Sequence, residues 1–243
     1  MQLPGAPIEL AANTRAIVLG DLHIGSEFCE RNLFLGLLRI MPPGMMLILN
    51  GDIVDPVRWE ELNYGNQELV RAIRDESLRR PVIWNEGNHD GVLRYDDPGR
   101  IQFVRHCFIT GRVAIMHGYS TPGTWTPVRR LGRLFRMLVR IWIELGGTRA
   151  HHAYYARKVR FIFRILCAQV TVRGIDMARS LHVPAVICGH SHAPADMIVG
   201  GIRYLNHGPW TEPEVYCLVV TPSDLRLVKV RDLIRSGIED TGK

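Results

Sequence analysis

Five short stretches of this 243-residue chain gather the side chains that can do chemistry: GDLHIG at 20–25, NGDIVD at 50–55, NEGNHD at 85–90, HGY at 117–119 and GHSH at 189–192. They supply Asp21, His23, Asp52, Asn88, His117, His190 and His192, which are hard or borderline ligands with no thiolate among them. Groups of this kind brought to one place repel one another or stay unsatisfied unless a strong positive charge holds them. Two divalent cations are the simplest such charge. Imidazole mixed with carboxylate and amide oxygen favours manganese, iron, cobalt, nickel or zinc at a catalytic site, manganese foremost, over the closed thiolate sites used for structure. The DxH and HxH spacings agree, since alternate residues leaving a strand can point the same way. One carboxylate must then be shared.

Two cations about 3.5–4 Å apart lower the pKa of a shared water to near neutrality, aim the hydroxide at phosphorus and neutralise the non-bridging oxygens. Such a site needs no side-chain nucleophile, and the sequence contains neither GxSxG nor GxxxxGK[ST]. His89, beside Asn88, is placed to protonate a leaving oxygen or stabilise its charge. Asp52 follows Gly51 directly and reads as a ligand, whereas Asp55 reads as a supporting residue or a cap on the turn before Pro56.

The elements that must position these residues are legible around them. Each cluster ends a short apolar run: AIVL (16–19), MMLIL (45–49), PVIW (81–84), VAIM (113–116) and PAVIC (184–188). Runs of this length bounded by Gly and Asp predict strands. Helix-length stretches at 27–40 and 61–79 separate the first three, which makes a βαβ alternation and a largely parallel sheet. In open α/β sheets ligands bind beyond the carboxyl ends of the strands, where all five clusters fall. The tail returns to strand-like pieces, DMIV, IRYLN, VYCLVV and LRLVKV. The whole chain, 1–243, reads as one α/β domain with a helical insertion at about 125–182.

In that insertion Arg129, Arg133, Arg136 and Arg140 recur at helical spacing opposite Leu131, Phe135, Leu138, Trp142 and Leu145. Gly146 and Gly147 break the helix. A second follows, with Arg157, Arg160 and Arg164 on one face and Tyr155, Val159, Ile162 and Leu166 on another.

An apolar content of 47% with 22% charged residues excludes a disordered or fibrous chain, and a net charge of +6 suits anionic partners. Five scattered cysteines without a CxxC pair imply a reducing compartment and no structural zinc site. The first residues lack a basic start followed by an apolar stretch, and no uninterrupted apolar run approaches 18 residues, so a cytoplasmic, non-spanning protein is expected.

Taken in order, GDLHIG, GDIVD, GNHD, HG and GHSH resemble the calcineurin-like metallophosphoesterases over residues 16–192. The resemblance implies a four-layer α/β/β/α sandwich. It implies one metal on Asp21, His23, Asp52 and His192, and another on Asp52, Asn88, His117 and His190, with Asp52 as the bridge. It further implies that Asp90 orients His89.

A narrower resemblance is to the UDP-2,3-diacylglucosamine pyrophosphatase branch, carried by the helical insertion and by YLNHGPWTE at 204–212. It implies hydrolysis of a nucleotide-lipid pyrophosphate to lipid X and UMP, on the way to lipid A. The chain departs from that branch in keeping His89 where its best-known members carry Arg, and in placing Pro209 inside the terminal N-x-G-D-W pattern. Asn206, His207, Arg133, Arg136 and Arg140 are the candidate substrate contacts, and the arginine-striped helices could lie on an anionic inner-membrane surface. The alternatives are a phosphodiesterase or nuclease acting on nucleotides or nucleic acid, whose backbone phosphates would explain the basic charge, and a non-catalytic scaffold on the same fold.

Overall fold

A computed structural model of the chain describes residues 5–55, 62–90, 97–119, 137–139 and 141–238. The stripe arginines Arg129, Arg133, Arg136 and Arg140 lie outside the described residues. In chain order the elements are β1 (Ile8–Leu10), β2 (Ala16–Leu19), α1 (Arg31–Ile40), β3 (Met46–Asn50), α2 (Tyr64–Arg79), β4 (Val82–Asn85), β5 (Gln102–Val104), β6 (Cys107–Ile109), β7 (Val113–Ile115), α3 (His152–Lys158), α4 (Arg160–Ser180), β8 (Ala185–Cys188), β9 (Ala195–Val199), β10 (Ile202–Asn206), β11 (Tyr216–Val220), β12 (Leu225–Lys229) and α5 (Val230–Ser236).

Two six-stranded mixed sheets result. The first has the order β12-β11-β2-β3-β4-β5, in which β2 to β5 run parallel, β11 runs antiparallel to β2, and β12 pairs antiparallel with β11. The second has the order β1-β6-β7-β8-β10-β9. Period-two alternation decides how they stack. In β2, Ile17 and Leu19 pack with Phe34, Leu37, Leu69 and Ile73 of α1 and α2, while Ala16 and Val18 meet Ile115, Ile187 and Leu205 of the second sheet. The far face of that sheet, through Ala114 and Val186, packs on Val170 and Ala178 of α4. Helices, sheet, sheet and helix therefore enclose three apolar cores, the α/β sandwich expected. A fully buried Ile or Leu contributes about 1.5–3 kcal/mol, so the inter-sheet layer fixes the relative position of the two strand-end rims.

The structure also trims and divides the expected helices. α1 begins at Arg31, because residues after His23 form a turn in which Ser26 N donates to His23 O and Phe28 N to Ser26 Oγ. α2 begins after Asn63, whose side chain accepts from Asn66 N. The break at Gly146–Gly147 is present, with Gly146 at φ 91°. Residues 137–139 and 141–144 before it are helical. The second expected helix is two, split by a bend at Val159. Of its expected apolar face, Val159 is exposed while Tyr155 and Leu166 are half-buried, and Phe161, Ile165 and Val172 beside that face are exposed as well. No helix among the described residues is long and apolar enough to cross a membrane.

Candidate metal centre

Strand ends place the candidate ligands, and main-chain hydrogen bonds join their loops. The loops after β2 and β3 run side by side: Asp21 N donates to Gly51 O, His23 N to Asp52 O and Ile24 N to Ile53 O. Two glycines make the approach possible. A Cβ on Gly87 would lie 2.0 Å from Asp52 N, and one on Gly51, at φ 78°, would lie 2.5 Å from the His117 ring. Behind the loops, Asn50 and Asn85, paired across β3 and β4, stitch the two sheets together. Asn85 Nδ2 donates to Asn50 Oδ1 and Ile115 O, and Asn50 Nδ2 donates to Met116 O.

Asp21, His23, Asp52, His190 and His192 all have positive φ, between 49° and 63°, in the left-handed region that side chains other than glycine seldom adopt. Strain of this kind collects where function requires a side chain to be aimed.

Three groups of potential ligand atoms follow, each within 4.8 Å of one another: Asp21 with His23 and His192, Asp52 with His117 and His190, and at the rim His23 with Asp55 and His89. The first two hold six of the seven expected ligands. In the first, His192 Nε2 is 3.3 Å from His23 Nε2 and 3.4 Å from Asp21 Oδ1. In the second, His117 Nε2 is 3.2 Å from Asp52 Oδ2. Asp21 Oδ1 lies 4.0 Å from His117 Nε2, so the two clusters face each other.

Each carboxylate has one oxygen anchored and one aimed inward. Asp21 Oδ2 accepts from His190 N at 2.9 Å and Asp52 Oδ1 from His89 N at 2.8 Å. The imidazoles are set in the same manner. His23 Nδ1 donates to Asp55 Oδ1 at 2.8 Å and His117 Nδ1 to Asn50 O at 2.9 Å, which turns both Nε2 atoms toward the carboxylates. Asp21 Oδ1 and His117 Nε2 are buried without hydrogen-bond partners. Orphaned oxygen and nitrogen donors converging in a buried space are the coordination set of a borderline divalent cation, so the residues fit the group that the sequence implied.

Electrostatics agree. Burial opposes ionisation of Asp21 and Asp52, yet His192 beside the first and His117 beside the second hold both well below the usual carboxylate range. Burial likewise opposes charge on His117, but Asp52, then Asp21 and the Asn50 carbonyl, push it up to about 10. The same burial, with His117 alongside, drives His190 down to about 3. Of the thiols, Cys107 and Cys217 are pushed up to about 12 by burial, which suits apolar filler and not a nucleophile.

The remaining sequence expectations meet the structure unevenly. Asn88 is exposed, whereas Asp21, His23, Asp52, His117 and His192 are buried and His190 is half-buried. His89 is half-buried at the rim, but Asp90 does not orient it. The Asp90 carboxylate instead accepts from four backbone N–H groups, those of Asp52, Ile53, Val54 and Gly87, and so clamps two ligand loops together. Burial and the Asp52 charge push its carboxyl up to about 6. Asp55 takes the orienting role: its Oδ1 accepts from His89 Nδ1 at 3.1 Å as well as from His23.

Asn206 and His207 are corrected from substrate contacts to framework. Both are fully buried and bonded inward. Asn206 Nδ2 donates to Gly189 O and Ser191 Oγ, and His207 Nδ1 donates to Gly208 O. Sequence reasoning assigned no role to Asn50 and Asn85, although each opens a cluster as the last residue of its strand. It also missed His151, buried 4.8 Å from the His23 ring, because that residue sits inside a stretch read as helix.

Comparison with known proteins places this geometry. A model of calcineurin-like phosphoesterases matches residues 14–194. No curated protein gives a significant sequence match. Among solved structures, Yfce, a phosphoesterase from E. coli, is 13% identical with a TM-score of 0.45, over 90% of this chain and 94% of its own. Wild-type Vps29 of Entamoeba histolytica, complexed with zinc, is 15% identical with a TM-score of 0.38, over 89% of this chain and 98% of its own. Vacuolar Protein Sorting 29 of Cryptosporidium parvum is 14% identical with a TM-score of 0.43, over 89% and 96%. Resemblance this distant leaves the assignment to the sequence match, which covers most of the chain and every one of the five motif clusters: the chain belongs to the calcineurin-like phosphoesterase family.

Proposed function

We propose that the chain is a hydrolase of phosphoester or pyrophosphate bonds that works with two divalent cations, manganese first among them. The observation that carries this reading is the pair of facing Asp/His clusters, each with an inward carboxylate oxygen and imidazole nitrogens turned toward it. Asp21, His23, Asp52 and His192 would hold one cation, and Asp52, Asn88, His117 and His190 the other. When bound, two such cations supply Lewis acidity and acidify water.

The chain's own residues do the rest. Asp55 holds protons on His23 Nδ1 and His89 Nδ1, which leaves His23 Nε2 as a ligand atom. It also turns the His89 ring so that Nε2 can pass a proton to the leaving oxygen. His89, with its side chain 22% exposed, can touch substrate where the buried rings of His23 and His117 cannot. Tyr119, its ring 6.0 Å from His117, keeps its proton, since burial with Glu86 nearby raises its phenol, and can donate to a phosphoryl oxygen.

The substrate in this reading is amphiphilic, a nucleotide-lipid of the UDP-2,3-diacylglucosamine kind cut to UMP and lipid X. Support comes from the insertion, where Leu145 is 79% and Phe161 75% exposed, with Met137, Leu138, Trp142 and Val172 also facing outward. Exposed apolar side chains in this number suit acyl chains and peripheral contact with an anionic membrane.

Mass spectrometry of products after incubating the protein and Mn²⁺ with UDP-2,3-diacylglucosamine tests the substrate, with single-stranded DNA as the rival. UMP and lipid X are expected; nucleotides from the DNA alone would reassign the substrate. Failure to hydrolyse bis-p-nitrophenyl phosphate with any divalent metal would overturn the catalytic reading and favour a scaffold.

A further inference from the structure

We infer that His151, contributed by the insertion, is a positioning residue of the first cluster. This inference rests on the metal-dependent reading above. His23 and His117 each have Nδ1 anchored by a hydrogen bond to the protein. His192 does not: its Nδ1 is buried with no hydrogen-bond partner, and its backbone is held at φ 53°. What the ring has instead is a neighbour lying parallel to it. The His151 ring is inclined only 3° to His192, with centroids 5.7 Å apart, and lies 4.8 Å from His23. Offset aromatic packing of this kind restricts ring rotation by excluded volume, without a directional bond.

The insertion is fastened on both sides of His151. Arg149 pairs with Glu27, four residues beyond His23, and Arg157 pairs with Glu212 while its other nitrogen approaches His192 O at 3.5 Å. His151 itself is 6% exposed, and its carbonyl accepts Tyr154 N at the start of α3. The flat face of His151 thus does for His192 what Asp55 does for His23 and Asn50 for His117. The second cluster has no counterpart from the insertion among the described residues.

The test is titration of the metal-free full chain with Co²⁺, followed by calorimetry and by the visible absorption of the bound ion, for the wild-type protein, His151→Ala and His151→Phe. The Ala variant is expected to weaken one of two Co²⁺ sites by roughly tenfold or more and to alter its absorption band, in line with losses seen when groups behind metal ligands are removed. The other site should stay within about threefold, and Phe, which keeps a plane, should restore both.

His151→Leu, which fills the volume without a plane, replaces Ala if Ala does not fold. Wild-type affinity and absorption in the Ala or Leu variant would overturn the inference, as would a Phe variant as weak as Ala. Absence of Co²⁺ binding by the wild-type protein would overturn the metal-dependent reading itself and this inference with it.

Discussion

Around Asp21 and Asp52 the chain is fastened by many hydrogen bonds that leave Asp21 Oδ1 and His117 Nε2 free to face inward. Carboxylate oxygens accept from His190 N and His89 N, imidazole Nδ1 atoms donate to Asp55 and Asn50, and Asp90 draws four backbone N–H groups into one clamp. The helical insertion is built the other way, with Trp142, Leu145 and Phe161 turned to solvent and a junction at Val159 that interrupts its helix. Rigid strand ends suit a centre whose donors must hold position to within a few tenths of an ångström. A loosely covered apolar surface suits a ligand that is large, greasy and variable in shape. The difference teaches where to cut: under the proposed reading the exposed apolar side chains of the insertion can be altered without disturbing the rim, whereas His151, packed on His192 and His23, belongs with the rim.

The largest effect should come from the rim. Asp52→Ala is expected to lower turnover of bis-p-nitrophenyl phosphate by more than about a thousandfold, as loss of groups central to transition-state stabilisation does. It should also lower metal content at both positions; two fully occupied sites by elemental analysis would remove Asp52 from the bridge. His89→Ala comes next, with turnover down on the order of a hundredfold and metal content unchanged. Loss of metal in that variant would make His89 a ligand.

A smaller effect is set by pH. In the metal-free protein, burial works against a charged His117, but Asp52 raises its pKa to about 10, so from neutrality up to that value the ring carries a proton that an incoming cation must displace. Apparent Mn²⁺ affinity is therefore expected to rise by up to about tenfold per pH unit between pH 6 and 8, because one proton leaves for each cation taken up there. A flat profile in calorimetric titrations would contradict the His117–Asp52 pairing.

The smallest effects belong to the insertion: Trp142→Ser and Phe161→Ser should each weaken partitioning onto anionic vesicles by a few-fold, roughly 1 kcal/mol. Hydrolysis of a water-soluble phosphodiester should stay at wild-type level. A fall in that hydrolysis would show that the two regions are not separable.

The motif clusters were readable because ligand chemistry demands residue types at strand ends, and AIVL, MMLIL, PVIW and PAVIC are each long enough to show a strand. β1, β5 and β6 escaped notice because their three residues include or adjoin polar ones and no motif cluster marks their ends, as HGY does for the equally short β7, and Val230–Ser236 because its first residue completes a strand-like LRLVKV. Within the site, the ligand types were legible but their supports were not. Whether Asp90 faces His89 or the backbone of residues 52–54 is decided by how two loops pack, which no local pattern encodes. Asn206 and His207 looked like rim residues for the same reason, since a polar pair after a strand reads alike whether it faces solvent or buttresses the loop behind it.

Five left-handed residues at the rim have a further implication for the chain before any cation arrives. Strain on the order of 1 kcal/mol at each is carried by the fold whether or not the centre is in use. The fastening that makes the donors converge also keeps like charges close, so the metal-free rim is a loaded spring whose catch is the Asp90 clamp and the Asn50–Asn85 stitch. A cation would offset the repulsion between Asp21 and Asp52, while the backbone strain would stay, because it lies in the loops and not in the charges.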